Sequence, residues 1–182
     1  MRAVVCRELS GLDGLALEDI PVPEPGPGEV RIRVRAAGLN FADTLIIKGQ
    51  YQDKPPLPFV PGMEIAGQIE RCGDGVAGFT PGERVMATPD LGGFAEAVVT
   101  RASNVVRLPD SIDYRAAAAL AIAYGTAYGA LCWAGRLQPG ETLVVHGAAG
   151  GVGLATVECG RALGARVIAT ARGQNRLELA QA

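Results

Sequence analysis

The chain has 182 residues, 48% of them hydrophobic and 20% charged, enough apolar material for a sizeable core and not the composition of a disordered chain. A net charge of −2 gives no general attraction to nucleic acid or to an anionic membrane, and no run reaches the roughly 18 apolar residues of a membrane span. The charged start MRAVVCRELSG reads as neither signal peptide nor anchor, and Cys6, Cys72, Cys132 and Cys159 show no CxxC or paired spacing, so a soluble chain in a reducing, cytoplasmic setting is expected.

Met1 opens on a strand, and the first part of the chain is punctuated by Gly and Pro. PVPEPGPGEV (Pro21–Val30) and PPLPFVPG (Pro55–Gly62) are turn-rich connectors. Between them EVRIRVRAAG alternates, with Val30, Ile32 and Val34 on one face and Arg31, Arg33 and Arg35 on the other, a half-buried strand. The arginine row is read as a solvated sheet face rather than a nucleic-acid stripe. Further strands are expected at Glu64–Arg71, Arg84–Ala87, Phe94–Val99 and Val105–Leu108, with the tight turns of CGDGVAGFTPGERV between the first two. Such spacing predicts a compact β-barrel-like domain.

The texture then changes. LPDSIDYRAAAALAIAYGTAYGALCWAGRLQPGE carries a capping signal around Asp110–Ser111 and predicts two helices broken near Tyr124–Gly125, stopping at Gly135 and Pro139–Gly140. A domain boundary is expected between Ser111 and Ile122, giving units of residues 1–118 and 119–182.

Residues 142–172, TLVVHGAAGGVGLATVECGRALGARVIATAR, read as buried strand, glycine-rich turn, helix, buried strand, then a basic residue. That is the signature of a dinucleotide-binding βαβ unit in a parallel sheet buried on both faces. On the helix, Val152, Ala155, Cys159 and Ala162 share one face, and with Leu154 and Val157 the surface is apolar most of the way round. The turn runs Ala148-Ala149-Gly150-Gly151-Val152-Gly153, with Ala148 standing where the strict pattern has its first glycine. Gly150 would admit a pyrophosphate close to the backbone, Gly153 would let helix and strand pack closely, and free amides at the helix start would face the phosphates. A Walker A loop is excluded, because no lysine lies beyond Lys54. NAD sites usually place an acid about 20 residues after the turn. Here Ala171 takes that place, followed by Arg172 and Arg176, a neutral-then-basic pattern that favours the 2′-phosphate of NADP(H). The alternative is that both arginines are simply exposed at a strand end.

The motifs AAGLNFADTLIIKGQY, PFVPGMEIAGQIERCGDGV, GERVMA, GGFAEAVV, AIAYGTAYGAL and VVHGAAGGVGLA together resemble the zinc-free NADPH:quinone oxidoreductase branch of the medium-chain dehydrogenase/reductase superfamily. The resemblance implies a GroES-like β-barrel domain followed by a Rossmann domain, here only the first βαβ unit of its doubly wound parallel sheet. It implies hydride transfer from NADPH to a quinone or other conjugated carbonyl. The places of the catalytic zinc ligands in related alcohol dehydrogenases hold Asn40, Met63 and Ile122, which form no usable ligand set, so no metal site is expected. By the same resemblance Asn40 lies in the pocket and bonds the nicotinamide or the acceptor carbonyl, Tyr51 lines the pocket, and Thr126 lies beside the nicotinamide. The expected catalytic set is Asn40, Tyr51 and Thr126. The expected cofactor set is Asn40, Thr126, Ala148, Gly150, Gly151, Val152, Gly153, Arg172 and Arg176. Asp43 and Glu64 are read as structural, bonding to backbone or to an arginine. No GxSxG or HExxH occurs, so serine- and zinc-hydrolase readings lack their signatures.

After Arg172 ten residues remain and no third strand follows. The expectation is a fragment or truncated product that alone binds NADPH poorly and has little activity, whereas the full-length parent is expected to be a homodimer. Partners are a small quinone or enone, with no nucleic acid and no membrane. Two alternatives stand beside this reading: an enoyl-thioester reductase, whose modules share the LNFAD and HGAAGGVG motifs, and an inactive cofactor-binding fragment.

Overall fold

In the computed structural model, which describes residues 1–181, the chain divides into units Met1–Ala119 and Leu120–Ala182. In the first, β1 (Arg2–Cys6) pairs antiparallel with β2 (Leu15–Asp19). A five-stranded antiparallel sheet follows, built from β3 (Glu29–Ala37), β4 (Ile65–Cys72), β5 (Arg84–Ala87), β6 (Ala97–Arg101) and β7 (Val105–Arg107), in the order β6-β3-β4-β5-β7. The expected alternation holds: Val30 and Ile32 are buried with Ile65, Ile69, Val85 and Val98, and Val34 packs against them. Arg33 and Arg35 are exposed, and Arg31 and Arg33 both bond Glu70 rather than forming a free cationic stripe. Register irregularities at Arg31/Ile32 and Val34/Ala36 mark bulges in β3, which bend a sheet towards a barrel.

The strand expected from Phe94 begins as a regular ladder only at Ala97. Residues 94–96 bond instead to the first strand, through Val4 N–H to the Phe94 carbonyl at 2.9 Å and Glu96 N–H to the Arg2 carbonyl at 3.1 Å. The segment thus crosses from one sheet to the other, as corner strands do. Between β3 and β4 lies the short helix α1 (Phe41–Ile46).

The helix starts differ from the sequence expectation. The cap of α2 (Tyr114–Ala118) is Asp113, whose carboxylate accepts from the amides of Arg115 at 2.8 Å and Ala116 at 2.9 Å. Asp110 and Ser111 lie earlier, in a turn fixed by Arg84, which donates to the carbonyls of Pro109 and Ile112.

The second unit begins with α3 (Ala121–Tyr128), which runs straight through Tyr124–Gly125; the break falls before it, at Ala119–Leu120. Glycine costs a helix interior about 1 kcal/mol, which packing easily offsets. The helix continues into a π-helical turn, Gly129–Ala134, and stops at Gly135 as expected. Next come β8 (Thr142–His146), α4 (Gly151–Ala162), β9 (Arg166–Thr170) and α5 (Gln174–Gln181), with the two strands parallel. This is one βαβ unit. Its core joins Val145, Ala148, Val157 and Ala180, so α4 and α5 cover the same sheet face. The other face does not meet the expectation of burial: Val144 and Ile168, paired across the strands, are exposed. The buried residues of α4 are Ala155, Val157 and Gly160, whereas Val152 and Ala162 are exposed. The sheet sets this choice, since a Cβ on Gly160 would sit 2.5 Å from the Leu143 side chain. No helix among the described residues is long and apolar enough to cross a membrane.

Candidate functional site

The glycine turn of the second unit is organised by the ends of its two strands. His146 Nδ1 and Thr170 Oγ1 lie 2.9 Å apart, and the Ala148 amide donates to the Thr170 carbonyl at 3.0 Å. Gly147 takes φ +66°, the left-handed conformation that glycine adopts without penalty, and its carbonyl accepts from the Gly150 amide at 3.0 Å. The chain is then extended at Gly150 before α4 starts. Gly153 must be small, because a Cβ there would lie 2.3 Å from the Gly147 carbonyl oxygen and 2.8 Å from the Ala148 Cα.

The cap position, Gly150, offers no side chain to the helix. The amides of Gly151, Val152 and Gly153 therefore open α4 with no intrahelical acceptor, at the positive end of its dipole. A Cβ on Gly151 would meet nothing within 4 Å, so the approach to these amides is open. Beside them lies a pocket of ≈ 310 Å³ lined by Gly147, Ala149, Gly150, Ala171, Arg172 and Arg176. The structure thus brings together Gly150, Arg172 and Arg176 from the expected cofactor set. Ala148 is not among the lining residues: it is fully buried beneath the turn, packed with Val145 and Val157. The sequence reading missed Gly147, one place ahead of the assumed pattern, together with Ala149 and the His146–Thr170 pair. The histidine immediately before the first glycine was the available signal.

Thr126 is exposed on α3. On the same helix the Tyr124 hydroxyl donates to the Glu158 carboxylate of α4, a bond that, with some burial, raises the phenol above its ordinary pKa. Tyr124 is therefore a tie between helices, not a residue at a helix break.

In the first unit Asn40 immediately precedes α1 and is half-buried. Its backbone amide donates to Asp43 Oδ2 at 2.8 Å, and its side-chain Nδ2 donates to Glu64 Oε1 at 2.7 Å. Both carboxylates are buried, with 2% and 3% of their surface exposed. Asp43 bonds backbone as expected, and Glu64 accepts from the Asn40 side-chain amide. Burial pushes the Asp43 carboxyl above the usual carboxylate range, against the backbone hydrogen bonds from Asn40 and Gly62 that pull it down. Leu39 and Phe41, on either side of Asn40, are 75% and 78% exposed. Tyr51 is half-buried and, with Met63, packs against a cluster of Cys6, Ile46, Ile47 and Phe59. Among the described residues no three His, Cys, Asp or Glu side chains converge as a metal site would require.

Residues 26–110 match the alcohol dehydrogenase GroES-like domain. The chain is 42% identical over 181 residues to a quinone oxidoreductase of Rattus norvegicus, covering 98% of this chain and 55% of the rat protein. Among solved structures, the quinone oxidoreductase of Thermus thermophilus, studied also as its complex with NADPH, superposes with a TM-score of 0.88 at 39% identity, covering 100% of this chain and 57% of that one. An Escherichia coli quinone oxidoreductase complexed with NADPH gives a TM-score of 0.94 at 30% identity, covering 100% and 56%. The chain thus spans about half the length of the curated relatives it matches.

Proposed function

We propose that the chain, which is similar to quinone oxidoreductases of the medium-chain dehydrogenase/reductase superfamily, is the cofactor- and acceptor-binding part of an NADPH-dependent reductase of quinones or other conjugated carbonyls, working without a metal. The observation that carries the cofactor choice is the pocket where the glycine turn meets two arginines. Three open amides at the start of α4 suit a pyrophosphate, and Gly151 leaves it room. Arg172 and Arg176 line the same pocket with no acid among its walls, which suits a further phosphate and offers free ribose hydroxyls no carboxylate. In this reading residues 119–182 hold NADP(H) and residues 1–118 hold the acceptor.

Bound there, reduced nicotinamide supplies the hydride. The protein's part is positioning. Asn40 offers one amide edge to the nicotinamide or the acceptor carbonyl, since its other N–H is committed to Glu64. Tyr51 lines the acceptor pocket, where its hydroxyl is available to polarise an oxygen. Thr126 steadies the nicotinamide. The exposed Leu39 and Phe41 beside Asn40 give an apolar acceptor ring something to rest against. A homodimer is proposed only for a protein of the relatives' full length.

The test is oxidation of NADPH by the purified protein with quinones, enones and enoyl thioesters in parallel, with and without a metal chelator. Chelator-insensitive turnover with quinones or enones supports the proposal. Turnover with enoyl thioesters alone transfers it to the alternative reductase, and loss of activity on chelation refutes metal-free chemistry.

A further inference from the structure

Resting on the proposed role of Asn40, we infer that Glu64 is the positioning residue that sets the direction of the Asn40 amide. Glu64 stands just before β4, and its carboxylate is enclosed. Its backbone carbonyl accepts from the Gly38 amide at 3.1 Å, and a Cβ on Gly38 would lie 2.3 Å from Glu64 Oε1. The carboxylate fits only because residue 38 is glycine. Burying a carboxylate is costly unless it is hydrogen-bonded, so the Asn40 Nδ2 contact at 2.7 Å is a short, charge-assisted bond at a costly site.

That bond has a chemical consequence. A carboxylate only accepts hydrogen bonds, so the NH₂ end of the Asn40 amide must face Glu64, and the flipped amide would set oxygen against oxygen. The carbonyl end then faces the Asp43 amide across a capping box, and its spare lone pair and one remaining N–H are what Asn40 can present elsewhere. On the other side, Asp43 holds the backbone amide of the same residue, so the two buried acids clamp Asn40 at main chain and side chain. Glu64 does not touch the reacting atoms in this scheme; it acts through Asn40.

The test uses the full chain, labelled with ¹⁵N. The Asn40 side-chain pair is identified as the one missing from Asn40→Asp, and backbone spectra report folding. One Asn40 proton is expected well downfield of those of exposed asparagines. Glu64→Gln, which keeps shape and an acceptor but loses the charge, should remove about half of that displacement, since charge-assisted bonds are roughly twice as strong as neutral ones. Glu64→Met should remove all of it. In turnover with NADPH and a quinone, Glu64→Met should lower kcat about 100-fold with NADPH affinity unchanged, the scale expected for a misplaced catalytic contact. Glu64→Gln should restore most of the rate. An Asn40 pair at the positions of exposed asparagines, or one unmoved in Glu64→Gln, overturns the inference even if Glu64→Met does not fold. If the 182-residue chain does not turn over, that accords with the low activity expected of it alone, and the amide spectrum decides the role of Glu64.

Discussion

Adding one methyl group at each of two glycines of the turn separates folding from cofactor binding. At Gly153 a Cβ would sit 2.3 Å from a backbone oxygen and 2.8 Å from a Cα, where ordinary contact begins at 3.4 Å. Strand and helix would have to part by about 1 Å, and because the obstacles are backbone, no side-chain rotation relieves them. Overpacking costs about 1–3 kcal/mol, and Gly153→Ala belongs at the upper end. For a chain of this size that lowers the melting temperature by about 6–10 °C. Gly151→Ala is the opposite case: its Cβ meets nothing within 4 Å and its φ is not positive, so the substitution should stabilise by about 0.4–1 kcal/mol. The same methyl group would stand over the open amides and weaken NADPH. Thermal melts and NADPH titrations on both variants are the assay. A Gly153→Ala protein as stable as wild type, or a Gly151→Ala protein with undiminished NADPH affinity, would refute the reasoning. Gly160→Ala is a useful control, since its 2.5 Å clash is with the end of the mobile Leu143 side chain and should cost less.

Arg172→Ala and Arg176→Ala should each weaken NADPH by about tenfold or more while leaving NADH unchanged, since a hydrogen bond to a charged group contributes about 1.5–3 kcal/mol; competitive titration checks it. Asn40→Ala should lower kcat with quinones and, because it takes a charge-assisted donor from the buried Glu64 carboxylate, also lower the melting temperature by about 5 °C or more, measured by steady-state rates and calorimetry. The Asp43 carboxyl is raised by burial, so between its usual and folded pKa values the folded chain holds the extra proton, and its contribution to stability falls as pH rises through that window. Asp43→Asn removes this slope: its stability relative to wild type should increase from acid to neutral pH, read from denaturant midpoints, and a constant difference would show that Asp43 titrates normally.

Periodicity was the most legible feature of the chain. The alternation of Val30, Ile32 and Val34 requires only a strand with one wet face, and β3 has that form. The strand–turn–helix–strand order after Thr142 was equally readable, because glycine spacing and two apolar runs agree. What depended on distant partners was not readable. Asp113 caps α2 because Arg84, far back in the chain, ties down the turn before it. The buried stripe of α4 is chosen by Leu143 and Val167, not by the helix pattern alone. The Glu64–Asn40 bond joins residues 24 apart through a gap that Gly38 leaves open, which no local pattern displays. At the turn, an offset of one residue hid Gly147, because its use is conformational while the motif is written in identities.

The most direct measurement is the relative affinity of the chain for NADPH and NADH, from nucleotide fluorescence titrated into the millimolar range, with Arg172→Ala/Arg176→Ala alongside. The account predicts NADPH bound at least about tenfold more tightly than NADH, with the preference gone in the double variant. Equal affinities, tighter NADH, or a preference that survives loss of both arginines would contradict it.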